Sequence, residues 1–252
     1  MTDAVGRRDR LPALTPYLIL GFVALLLALL ARAPSSLLQK ALPPAAPLKV
    51  IAWGGSLWHG QAEVLLAGEP GFWRWELRPA ALLRGRLALD LKGQGGLAMS
   101  GRLERGAGSW GIRDVSGEVS GRLLQPLLPP GWSLPGDVTL AGVHLVRQGL
   151  SRGPWVAAAG QLNWGGGAMQ YNLGSQVQSA TLPPLVAGLA LDGGTLVLSL
   201  AEAQQGSALA EVRLAPDGAM ETRLRERLLR YSGRTSGASL DAVVVTSAQP
   251  AP

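Results

Sequence analysis

From residue 50 onward, apolar and polar positions alternate with a period of two. In Leu87-Ala88-Leu89-Asp90-Leu91-Lys92 the leucines share one face and Ala88, Asp90 and Lys92 the other. Leu97, Met99 and Leu103 repeat the pattern with Gly101 at an inward position, and Thr195-Leu196-Val197-Leu198-Ser199-Leu200 repeats it again. Such alternation predicts strands that bury one face only. In Asp137 to Arg147 the apolar face shifts by one residue at Ala141-Gly142, which predicts a β-bulge or bend. Turns are expected at residues 68–71, 129–131 and 192–194, where Gly, Pro and Asp cluster.

Two stretches break this rhythm, residues 122–128 and 223–230. In the second, RLRERLLR, Leu224 and Leu228 stand four apart among arginines, so the spacing predicts a short amphipathic helix with a basic, solvated face. A strand remains open for residues 219–231 on pattern alone. A faint echo links Gly55 to Ala62 with Gly160 to Ala168, as in a repeated strand-turn-strand unit.

The start of the chain is different. Tyr17 to Ala31 carries no charge and follows Arg7, Arg8 and Arg10. A span from Leu11 to Ala33 reaches roughly 34 Å, enough for a hydrocarbon core of about 30 Å. Ala31-Arg32-Ala33 resembles a signal-peptidase site, but Pro34 is a poor first residue for a mature chain, so the expectation is an uncleaved anchor. The arginines then mark the cytoplasmic side. The expected organisation is a basic cytoplasmic tail (1–13), a transmembrane signal anchor (14–33), a Pro- and Ala-rich linker (34–49), and an exported β-rich domain with a C-terminal tail (50–252).

Composition supports an all-β domain and narrows the chemistry. Of 252 residues, 34 are Gly and 18 Pro, which suits short strands and many turns. The absence of Cys excludes thiolate nucleophiles and Cys-ligated metals, and two His make other metal chemistry unpromising. The net charge of +6 comes from scattered basic residues, not from the patch a nucleic-acid partner needs.

Candidate catalytic groups are sparse. Ser56 and His59 stand three apart with no orienting acid in the sequence nearby, and Gly93-Gln94-Gly95-Gly96-Leu97-Ala98 leads into a strand where a dinucleotide site needs a helix. Asp90, Glu104, Asp114, Glu118, Asp137 and Asp192 single out no acid–base pair. The eight Trp are expected to anchor turns and edges, with a sugar or lipid groove as the alternative.

Two linked motifs carry more information. Trp53-Gly54-Gly55-Ser56-Leu57-Trp58-His59-Gly60-Gln61-Ala62 is followed by Trp75-Glu76-Leu77-Arg78-Pro79-Ala80-Ala81-Leu82-Leu83-Arg84-Gly85-Arg86-Leu87. Together with the anchor they resemble the type II secretion system protein N family, whose pattern is G-[ST]-[LV]-W-x-G-x-A ahead of W-x-L-x-P-x-x-L-L-x-G-x-L. The resemblance implies a single-pass inner-membrane protein without catalytic residues or cofactor. It further implies a curved antiparallel half-pipe sheet of the AsmA-like kind, and partners among the inner-membrane platform or outer-membrane components of the secretion machine. Lipid handling by the half-pipe is the alternative, and an envelope hydrolase a weaker one. From the residues themselves, the first motif reads as a turn leading into a strand. In the second, Trp75 and Leu77 share a strand face, Pro79 ends the strand, and a single helical turn runs to Gly85.

Overall fold

The computed structural model describes residues 48–125, 133, 135–149, 153–173, 176–233 and 235–249, together with Phe22, Leu25 and residues 32–36. The expected anchor at 14–33 and the turn at 129–131 fall almost wholly outside these residues. Among the described residues no helix is long and apolar enough to cross a membrane.

The first eight strands are β1 (Leu48–Gly55), β2 (His59–Leu66), β3 (Glu69–Leu77), β4 (Leu87–Gly95), β5 (Leu97–Arg105), β6 (Ser109–Ser120), β7 (Asp137–Gln148) and β8 (Trp155–Trp164). They are followed by β9 (Gly167–Leu173), β10 (Gln176–Leu182), β11 (Leu185–Asp192), β12 (Thr195–Glu202), β13 (Ala208–Leu214), β14 (Met220–Arg225) and β15 (Val243–Gln249). Three short helices interrupt them: α1 (Pro79–Leu82), α2 (Gly121–Leu124) and α3 (Glu226–Tyr231). The expected all-β class is found. Thirteen strands form one open antiparallel sheet in the order β1 to β8, then β11 to β15, while β9 and β10 pair separately as a hairpin. Most neighbours in the sheet are also neighbours in sequence, which is how short hairpin loops connect antiparallel strands.

Because residues paired across strands point to the same face, the alternation within each strand extends into rows across the sheet. One row runs Leu77, Leu89, Leu103, Ile112, Leu145, Ala158 from β3 to β8. A second runs Leu140, Leu162, Ala187, Leu200, Ala210, Leu224, Val245 from β7 to β15. The opposite face carries rows such as Glu76, Asp90, Arg102, Arg113 and Ser199, Glu211, Arg223, Thr246. Val115 explains the glycine in the apolar pattern: a Cβ at Gly101 would lie 2.6 Å from its Cγ2. The register shift between Ala141 and His144, with Gly142 at φ 58°, is the bulge expected there.

The apolar face is covered unevenly. One core cluster gathers Val138, Trp164, Leu182, Leu185 and Leu209, roofed by Leu124 of α2 and by Leu228 and Tyr231 of α3. A second joins Ala62, Val64 and Trp75 with Trp53 and Trp73 near the first edge. Between them Leu103, Ile112 and Leu145 are only half-buried, as are Leu89 and Leu91 at the border of the second cluster and Leu189 and Leu198 beyond the first.

Two local expectations are corrected. Residues 223–225 are not helical: Leu224 pairs with Ala210 on one side and Val245 on the other, and two ladders of backbone hydrogen bonds outweigh the helical spacing of the leucines. The helix starts at Glu226, and of its two basic residues Arg230 is exposed while Arg227 is half-buried. The turn expected at 68–71 lies at Ala67-Gly68, with Glu69 already in β3. At 192–194 the expected turn is present, a two-residue hairpin in which Gly193 and Gly194 both have positive φ.

Helix α3 is fastened by a fully buried carboxylate. Glu226 accepts hydrogen bonds from the Thr235 hydroxyl at 2.6 Å, the Ser236 amide at 2.8 Å and the Ser236 hydroxyl at 2.6 Å. Hydrogen bonds from Ser236 and Thr235 outweigh burial and hold its pKa below the ordinary 4.5. A depressed folded-state pKa contributes stability that is complete above 4.5 and disappears as pH falls through the folded value. Stability measured by urea unfolding should therefore decline below that pH, and Glu226→Gln should flatten this part of the acid limb while lowering stability at neutral pH. An unchanged acid limb would contradict this role.

Candidate functional site

The two linked motifs fold together at one end of the sheet. Gly54 and Gly55 close β1, residues 56–58 turn the chain, and His59 starts β2, so the first motif is a turn between strands. Gly55 has φ 80°, a left-handed conformation that glycine adopts without strain. Trp75 of β3 lies directly beneath the turn. Its indole Nε1 donates to the Leu57 carbonyl at 3.1 Å, and its ring meets Trp53 edge to face at 5.9 Å. Gly60 leaves room for this ring, because a Cβ there would sit 2.1 Å from Trp75 Cζ2. Ala62 and Leu77 complete the buried part of the motif.

Backbone hydrogen bonds extend the arrangement in both directions. The Leu77 amide donates to the Trp58 carbonyl at 2.7 Å, and Arg78 to Ala88 at 2.9 Å. Pro79 then occupies the first turn of α1, where a missing N–H costs nothing, and Gly85 at φ 67° releases the chain toward Leu87 and β4. The Leu57 amide donates to the Ala33 carbonyl at 2.8 Å, and Pro34 bridges to Ser56. Ala33 and Ser35 are buried by this contact. The motif turn therefore grips the segment that immediately follows the apolar N-terminal run.

Ser56 and His59 do not form a catalytic pair. The His59 backbone amide donates to Ser56 Oγ at 3.2 Å, whereas the imidazole Nε2 lies 3.7 Å from Glu76 Oε1 with both side chains exposed. A depression of about 480 Å³ beside them is lined by His59, Gln61, Arg74, Glu76, Asp90 and Lys92. Residues 93–98 form the β4–β5 hairpin and not a phosphate loop.

Arginine ladders account for half of the candidate carboxylates, Asp90, Glu104 and Asp192. Asp90 receives Arg78 Nε at 2.5 Å and Arg102 Nε at 2.7 Å. Burial opposes its ionisation, but hydrogen bonds from Arg102 and Arg78 prevail and hold its pKa below the ordinary value. Glu104 pairs with Arg113 at 2.7 Å, and Arg113 Nη1 reaches His144 Nε2 at 3.4 Å. A second ladder joins Asp192 and Glu211 to Arg213 and Glu221 to Arg223. Asp137 accepts from the Gly121 amide, while Asp114 and Glu118 are exposed. Acidic and basic side chains are interspersed and paired across the polar face, so it presents no broad field of one sign.

Several features had no readable signal in the sequence. The ladders depend on register between strands, and the Ala33–Leu57 clamp on a contact across the whole linker. An apolar cavity of about 290 Å³ is also non-local: Val138, Leu162, Trp164, Leu185 and Leu200 of the sheet face Met169 and Leu182 of the β9–β10 hairpin and Leu228 of α3. Trp110 and Trp155 stack edge to face at 6.0 Å, with Arg147 over the Trp155 ring, while Trp132 lies outside the described residues.

The motif geometry makes Gly60 and Trp75 stability determinants. Gly60→Ala should destabilise the domain by about 1–3 kcal/mol through overpacking, and Trp75→Phe by about 1 kcal/mol through loss of the bond to Leu57. Chemical denaturation of the two variants checks both values, and wild-type stability in Gly60→Ala would refute the close packing.

No curated protein and no solved structure matches the chain. The family model for type II secretion system (T2SS), protein N, matches residues 46–234, a span from just before β1 to just beyond α3. Motif, all-β sheet and family match agree: the chain belongs to the type II secretion system protein N family and is a component of that secretion system.

Proposed function

We propose that this chain is a non-enzymatic, single-pass protein of the inner membrane that helps export folded proteins across the outer membrane through periplasmic protein contacts. Residues 1–13 are cytoplasmic, 14–33 anchor the chain, 34–49 link it to the sheet, and 50–252 form the periplasmic domain. The apolar run and the arginines before it support the anchor and its orientation. Register shifts in β1, β5, β6, β7, β12 and β14 support a sheet bent towards the half-pipe of AsmA-like proteins, since bulges bend and twist strands.

The observation that carries the proposal is the half-covered row of apolar side chains between the two core clusters. A partly uncovered apolar row on an open sheet is suited to contact with a partner. The contacts are with platform or outer-membrane components of the same machine. A second reading has its own support in the cavity lined by Val138, Leu162, Leu200 and Leu228: such an apolar space accepts a hydrocarbon chain, as lipid binding requires.

In-cell photo-crosslinking distinguishes the two. Probes at Leu89 and Leu198, on the apolar face, should yield adducts with secretion proteins, and a probe at Ser199, on the opposite face, should yield few. Adducts dominated by phospholipid would favour the lipid reading, and equal protein adducts from both faces would contradict the proposed contact surface.

A further inference from the structure

The second motif ends in a feature that packing does not explain. Leu83, which caps α1, is 91% exposed, and Leu82 and Leu87 are 42% and 40% exposed. Around them stand Arg84, Arg86 and Arg105, all exposed, and none forms an ion pair among the described residues. Elsewhere on the sheet Asp90, Glu104, Glu211 and Glu221 each pair with arginines. The α1 corner thus combines exposed leucine with unmatched positive charge.

Its position is fixed by the motif turn. Ala33 is hydrogen-bonded to Leu57, Trp58 to Leu77, and α1 begins two residues after Leu77. Ala33 follows the end of the apolar run at Ala31 by two residues, a reach of roughly 7 Å at most. The step from β2 to β3 adds about 5 Å. A headgroup layer is roughly 5–8 Å thick on each side of the hydrocarbon core. If residues 14–33 span the membrane, these steps and the one from Ala33 to Leu57 total on the order of 15 Å at most. Because they run along the membrane as well as away from it, the α1 corner can reach this layer, with Trp58, a side chain suited to interfaces, in the same turn.

We propose that the α1 corner is a lipid-contact site. Leu82, Leu83 and Leu87 dip into the periplasmic leaflet of the membrane that holds the anchor, and Arg84, Arg86 and Arg105 bind the phosphates of anionic phospholipids. Short basic segments with exposed leucine bind such interfaces by this combination of apolar burial and charge attraction. The sheet is thereby held at two points, the anchor through Ala33 and the membrane surface through the α1 corner, which limits its rotation about the anchor. The inference rests on the anchor reading.

The test uses the full chain, which has no native cysteine, in vesicles of phosphatidylethanolamine and phosphatidylglycerol. An environment-sensitive fluorophore is attached to Leu83→Cys, to Gln204→Cys at the opposite end of the strands, or to Leu25→Cys in the anchor. Quenching by lipids carrying a nitroxide at the headgroup or deep in the acyl chain then reports depth. At position 83 headgroup quenching should exceed that at 204 by roughly twofold or more, and should fall towards the 204 level in an Arg84→Glu/Arg86→Glu background or in high salt. Quenching at 83 no greater than at 204, with position 25 quenched from the acyl region, would overturn the proposal and leave the anchor standing. A blue-shifted but unquenched probe at 83 would indicate contact with a second copy and also overturn it. Absence of acyl-region quenching at 25 would remove the anchor reading and the proposal together.

Discussion

The structure depends on the cross-strand row. Each residue of a strand is held to one face by the backbone pleat, and pairing passes that choice to the next strand, so a two-residue alternation repeated through thirteen strands yields one apolar and one polar surface. A domain usually buries such a surface against a second layer. Here the cover is local: α2, α3 and the β9–β10 hairpin lie over one cluster, tryptophans pack at the other, and Trp110, Trp155 and Arg147 pack together at one end of the strands. The apolar row between them is left half-buried, and the polar face satisfies itself with pairs of arginines and carboxylates.

The motif turn is where the sheet is joined to the rest of the chain. Trp75 supports the turn from below through Leu57, and Gly60 provides the space for its ring. The same turn uses the Leu57 amide to hold Ala33 and the Trp58 carbonyl to hold Leu77. One compact set of contacts therefore relates the linker, the first three strands and α1. This explains why the two halves of the motif occur together although more than ten residues separate them: each supplies one side of a single packed unit.

Much of this was legible in the sequence because it is local. Leucine alternation in β4 and β12, the bulge at Gly142, the turn at Gly193-Gly194 and the helical turn after Pro79 each follow from a few adjacent residues. The boundary between β14 and α3 was not, since Leu224 and Leu228 fit a helix and only pairing with β13 and β15 excludes it for Leu224. The adjacency of β8 and β11 was equally hidden, because the intervening hairpin leaves the sheet. Carboxylates such as Asp90 read as wet-face residues, and their arginine partners emerged only with the register. Within the site, the glycines and tryptophans signalled a packed turn, while the clamp on Ala33 could not be read from residues separated by the whole linker.

The central claim is that the leucine face of the open sheet is the surface presented to the secretion machine. Adjacent residues of β4 test it most directly, because Leu91 and Lys92 are consecutive along one strand and point to opposite faces. In a chain without native cysteine, Leu91→Cys and Lys92→Cys can be labelled with a membrane-impermeant maleimide on periplasm-exposed membranes, with and without the other secretion components. Slower labelling at position 91 when the components are present, with position 92 unchanged, is the predicted result. Equal labelling of 91 in both states, or protection of 92 alone, would contradict the claim.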